Sequence, residues 1–171
     1  MNKHISRSSK IIALVFAFAA GLGFTLQSTV SAQASDEAAV RDTLLQNAAA
    51  FERGDMTALN KLWANDESVS VFESGHANYG WADYRDKHLK PEMAEMKNTK
   101  YSITDIEARI AGNTAWATFK YTISANLKDR RAEGGGLGTA ILEKRDGRWV
   151  IVHWHSSSPR SAPAAKSPHK H

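Results

Sequence analysis

The chain has 171 residues, with 22 Lys and Arg against 18 Asp and Glu, seven His and no Cys, for a formal charge of +4. A hydrophobic share of 42% with 23% charged residues is that of a globular chain, which excludes the collagen-like, disulfide-rich and wholly disordered classes. The lack of cysteine also excludes zinc ribbons, iron–sulfur clusters, thiol catalysis and a lipidated N-terminal cysteine.

The first ten residues carry Lys3, Arg7 and Lys10 and no acid, and Ile11 to Leu26 form an uncharged run. Basic and then apolar regions of this kind open a secretory signal, and the run is shorter than the roughly 20 apolar residues of a spanning helix. It ends in QSTVSAQA, where Ala32 and Ala34 supply the small-x-small pattern that a signal peptidase reads. Residues 1–34 are therefore expected to be a Sec-type signal peptide cleaved after Ala34, with cleavage after Ala32 or an uncleaved anchor as alternatives. A periplasmic or secreted protein, off the membrane once cleaved, follows from this.

At the other end, residues 158–171 read SPRSAPAAKSPHKH, hold three of the four prolines and lack apolar periodicity. Such a segment cannot bury enough surface to offset its chain entropy, so a disordered tail is expected, with His169 and His171 solvated rather than chelating. Ser35 to Ser158 then holds 16 bases and 18 acids. The positive charge thus belongs to the ends, and a domain with no basic face argues against nucleic acid as a partner.

In the folded part, residues 35–157, Val40, Leu44, Leu45, Ala48 and Phe51 recur at helical spacing, with Asp36 and Glu37 near the start and Gly54 as a C-cap. A second short helix runs from Asp55 through Leu59 to Trp63. Val69, Val71 and Glu73 alternate with Ser70 and Phe72, the pattern of a strand ending at Gly75. Trp81, Tyr84, His88 and Leu89 mark a third helix that Pro91 kinks or restarts. Four strand-like runs follow, over 101–110, 114–127, 135–144 and 149–156. Helices followed by an antiparallel meander define an α+β fold with the helices on one face of a curved sheet. Gly134, Gly135, Gly136 and Gly138 do not make a phosphate loop, because a strand rather than a helix follows them; close backbone approach explains them better.

The last strand carries the most chemistry. Strict period two puts Trp149, Ile151, His153 and His155 on one face and Val150, Val152 and Trp154 on the other. Imidazoles two residues apart stand roughly 6 to 7 Å apart at the backbone and can converge on one ligand. His88 and Glu92, at i and i+4, share a helix face if Pro91 leaves the turn intact. Glu73, His88, His153 and His155 are thus candidate acid/base groups or polar contacts, and a buried Glu73 would be a general acid or base. No cofactor is required, although His88, Glu92, His153 and His155 together could hold a metal.

Two opening helices, a strand, the WADYRDKHLKPE helix and a meander ending in DGRWVIVHWHSS resemble the nuclear transport factor 2-like superfamily, and within it the SnoaL-like branch. The closing strand is also similar to that of the association domain of calcium/calmodulin-dependent kinase II, with its D-G-x-W turn leading into H-x-H-x-S. The resemblance covers Asp36 to Ser157 and implies a cone-shaped curved antiparallel sheet wrapped around the N-terminal helices and an apolar pocket, with a homodimer through the outer sheet face. Carried over, it lines the pocket with Trp63, Phe72, Trp81, Tyr84, Trp116 and Thr139 as ligand-binding residues beside Glu73, His88, His153 and His155. The base, tyrosine and acid of ketosteroid isomerases, and the arginines of the kinase hub pocket, have no match placed in this sequence. Three functions stay open: an exported small-molecule-binding protein or enzyme, a periplasmic metal-binding protein using the same histidines, and a non-catalytic oligomerisation module.

Overall fold

A computed structural model describes residues 12–159, with side chains from residue 32 onward, so the basic start of the expected signal and residues 160–171 of the tail lie outside the described residues. The chain divides into two units, residues 1–38 and 39–171. Helix α1 spans Ile12–Arg53, so the helix expected from residue 35 begins much earlier. Neither Pro nor Gly interrupts residues 24–53, and nothing in that stretch forces a break. Among the described residues, no helix is long and apolar enough to cross a membrane.

In the second unit the helix positions Val40, Leu44 and Ala48 in the core. Asp55 caps α2 (Met56–Leu62) by accepting from the Ala58 amide at 2.9 Å. The sheet has six strands: β1 (Ser70–Glu73), β2 (His76–Tyr79), β3 (Lys97–Ala111), β4 (Thr114–Asn126), β5 (Arg131–Arg145) and β6 (Arg148–Ser157), in the order β2-β1-β6-β5-β4-β3. The meander β3 to β6 is antiparallel, but β1 pairs with β6 in parallel, so the sheet is mixed and remains open at both edges. This is the expected α+β class. Strand β2 is an addition: Ser74 and Gly75, both at positive φ, join it to β1 in a two-residue hairpin instead of ending the sheet.

Between β2 and β3 the helical stretch has three parts, α3 (Trp81–Tyr84), a π-helical turn (Arg85–Leu89) and α4 (Lys90–Glu95). Pro91 has no N–H to continue the ladder and its ring crowds the preceding turn, which the wider π-turn accommodates. The glycine run lies inside β5, where the Phe119 ring of β4 lies across Gly138 so closely that a Cβ would overlap it. Fully buried Leu44, Leu59, Trp81, Leu142 and Ile151 anchor the core, each contributing about 1.5–3 kcal/mol or more by burial.

The phase of β6 departs from strict alternation. Ile141 pairs with His153 while the next residue, Leu142, pairs with Ile151, so Val152 is the extra residue of a β-bulge. Directly paired residues share a face. Ile151, opposite Leu142, and Trp154, opposite Ala140, therefore both face the core, and His153 and His155 face the other way with Ile141 and Thr139.

Candidate functional site

A cavity of about 240 Å³ lies among α1, α2, the helical stretch and the inner face of the sheet. Its floor is aromatic. Trp63, at the end of α2, stacks on buried Trp81 with centroids 5.1 Å apart and meets Tyr84 at 5.4 Å and Trp154 at 6.2 Å. Asn47 of α1 fixes the Trp63 indole, accepting from its Nε1 at 2.8 Å. Phe51 and Tyr101 pack together on the opposite wall at 5.3 Å.

Polar groups gather at Glu73, the last residue of β1. The Tyr84 hydroxyl donates to its Oε2 at 3.3 Å and the Ser156 hydroxyl to its Oε1 at 3.2 Å. His88 Nε2 lies 3.7 Å from Oε2, with both side chains only about a quarter exposed or less. The imidazole is oriented from behind. Asn78 donates its amide to Asp83 at 2.8 Å, which turns its carbonyl oxygen toward His88 Nδ1 at 3.1 Å. Nδ1 is therefore the protonated nitrogen of the neutral ring, and the lone pair of Nε2 faces Glu73 and the cavity.

Glu92 also lines the cavity, so the π-turn keeps it on the His88 side of the helix. Burial, and then the negative charge of Glu73, push its carboxyl above the ordinary range, with His88 opposing. Burial followed by Glu73 likewise raises the Tyr84 and Tyr101 phenols, which stay protonated. Two carboxylates, two histidines (His76 and His88) and three tyrosines thus share one cavity, with no lysine or arginine among the described residues of its wall.

Of the residues expected at a pocket, Trp63, Glu73, Tyr84 and His88 line the cavity, and Trp81 lies one layer behind. Phe72, Trp116, Thr139, His153 and His155 lie on the outer sheet face. There Trp116, Ile141, His153 and Ser70 form one cross-strand row, and Thr118, Thr139, His155 and Phe72 form the next. His153 shares a 2.7 Å hydrogen bond with Ser70 Oγ and packs edge-on to Phe72; burial and then His155 lower its pKa. His88 and Glu92 are accordingly separated from His153 and His155, and among the described residues no three such side chains are grouped to hold a metal. Sequence reasoning names Tyr121 as a possible donor to a ligand but misses Tyr101 and Ile123. Their signal was alternation within β3 and β4, since Tyr101 pairs with Ile123 and Ile103 with Tyr121 on the inner face.

A helix-lined cavity on the inner face of an open sheet, with a meander closing it, defines the α+β cone fold. The family model of the SnoaL-like domain matches residues 40–161, and the chain belongs to that family. Among solved structures it is similar to a nuclear transport factor 2-like superfamily protein from Salmonella enterica serovar Typhimurium, with 16% identity, a TM-score of 0.70 and coverage of 78% of this chain and 98% of that one. A protein from Shewanella frigidimarina provisionally named a ketosteroid isomerase is 25% identical, with a TM-score of 0.60 and coverage of 68% and 92%. The hub of calcium/calmodulin-dependent kinase II from S. rosetta is 20% identical, with a TM-score of 0.59 and coverage of 72% and 96%. No curated protein matches the sequence significantly.

Proposed function

We propose that the chain is an exported small-molecule-binding protein or enzyme of the SnoaL-like type, whose cavity holds its ligand against Glu73 and His88. The observation that carries this is convergence on one carboxylate: Tyr84, Ser156 and His88, from three separate elements, all meet Glu73 at the cavity wall. Such a pair can hold or move a proton at the ligand, with two hydroxyls donating to Glu73 and His88 Nε2 turned toward it at the cavity wall. Acid/base transfer is also the chemistry that the isomerase name of the Shewanella protein implies. Export rests on the basic start, the uncharged run to Leu26 and the Ala32-x-Ala34 site.

The same proposal includes a homodimer formed through the outer sheet face, supported by the half-exposed Trp116 and Ile141 there and by likeness to a hub domain. The binding reading is tested by an NMR screen of small organic fragments against the full chain. Binders are expected to shift the Trp63 and Trp154 indole resonances, and to weaken about tenfold or more in the Glu73→Gln, His88→Ala double variant. Binders that hold equally well in that variant, or that shift only residues outside the cavity, would overturn it.

A further inference from the structure

The hydrogen-bonding groups of the cavity are unbalanced. Tyr84 and Ser156 already spend their hydroxyl protons on Glu73, and Tyr121 shares its own with Ser158 Oγ at 3.0 Å. What remains directed at the space is mostly acceptor: the lone pair of His88 Nε2, the Glu92 carboxylate, which makes no hydrogen bond or ion pair among the described residues, and the Glu73 oxygen nearest His88. Among the described residues no lysine or arginine reaches the wall to neutralise the two carboxylates, and the rings of Trp63, Tyr84 and Tyr101 offer π-faces instead.

Acceptors, negative charge and aromatic faces in one cavity select a positively charged donor. An anion would meet two carboxyl groups with histidine, His88 nearest, as their only cationic neighbour among the described lining residues, whereas an ammonium ion compensates both. The volume, about 240 Å³, is below the roughly 300–1,000 Å³ of drug-sized sites. We infer that the ligand is a small primary amine bound as its ammonium ion, its N–H groups donating to Glu73, His88 Nε2 and Glu92 and its apolar part lying on Trp63 and Tyr101. This rests on the cavity's being the ligand site, as proposed above.

The experiment compares three isosteric probes, benzylamine, benzyl alcohol and benzoate, titrated into the full chain near pH 7.5 and followed by calorimetry and by the indole resonances of Trp63 and Trp154. Benzylamine is expected to bind about tenfold or more tighter than benzyl alcohol, with benzoate weakest. In Glu92→Gln benzylamine should weaken more than benzyl alcohol, so that the preference shrinks several-fold. Misfolding is separable from this loss. A carboxyl whose folded pKa is raised destabilises the fold increasingly as pH climbs above its unfolded value, so Glu92→Gln should melt no lower than wild type at neutral pH, and its advantage should vanish near pH 4. Benzyl alcohol or benzoate binding in the cavity as tightly as benzylamine overturns the amine and leaves the ligand site standing. Benzylamine that binds only elsewhere, or not at all at millimolar concentration, overturns the amine as well, and binding by all probes only elsewhere overturns both.

Discussion

At the scale of single residues, Asn78 shows how a side chain outside the cavity sets its chemistry. Its amide has two ends with opposite obligations: the NH2 donates to Asp83, which Lys87 holds from the other side at 2.7 Å, and the carbonyl must then accept from His88. Imidazole tautomers differ little in free energy, so one hydrogen bond of about 1 kcal/mol decides which nitrogen faces the cavity. Asn78→Ala is therefore expected to shift neutral His88 toward the Nε2–H tautomer, visible in the ¹⁵N shifts of the ring, and to weaken ligand binding several-fold with little change in melting temperature. An unchanged tautomer would remove Asn78 as a positioning residue. The mutated site was legible only in part. Glu73 could be placed on the core face because β1 keeps its alternation, but Asn78 sits on β2, which follows a Ser-Gly pair read as a strand end.

At the scale of elements, the decisive feature is the bulge at Val152. Up to that point the alternation of β6 assigns faces correctly from sequence; beyond it every residue is displaced by one, and the two histidines move from the expected pocket to the outer face. A bulge has no sequence mark on its own strand, since it is set by how β5 is paired. That explains why Trp154, which lines the cavity, reads from strict alternation as lying on the face opposite the pocket histidines. The glycines of β5 were legible, because a small residue inside a strand announces close approach. Gly138 makes room for the Phe119 ring, which in turn packs on Trp154 with centroids 4.8 Å apart. Gly138→Ala is expected to destabilise the fold by about 1–3 kcal/mol through overpacking. Adding Phe119→Leu should recover part of that loss, a non-additivity measurable by urea denaturation of the two single variants and the double. Strict additivity would show that Gly138 is not a packing partner of Phe119.

At the scale of the whole molecule, helices followed by a meander were enough to place the chain in its fold class, because hydrophobic periodicity survives local irregularity. The five expected pocket residues that lie outside the cavity, Phe72, Trp116, Thr139, His153 and His155, are not scattered; they share two adjacent rows across β1, β6, β5 and β4. An isolated sheet with an apolar row facing water is unstable against association, and Trp116, at 46% exposed, and Leu137, at 62%, are large side chains to leave there. A second copy meets this face on its own terms, since a two-fold interface needs only a self-complementary patch, and a stable one buries roughly 1,200–2,000 Å² in total. Both partners would present neutral His153 at physiological pH, because burial lowers its pKa, and protonating it would place like charges across the interface. The full chain is thus expected to sediment as a dimer at neutral pH, and Trp116→Glu with Ile141→Glu to sediment as a folded monomer with unchanged circular dichroism. Because those side chains face away from the cavity, the variant should keep its fragment binding. A wild-type chain that sediments as a monomer would refute the interface, and a dimer that survives both charges would move it to another surface.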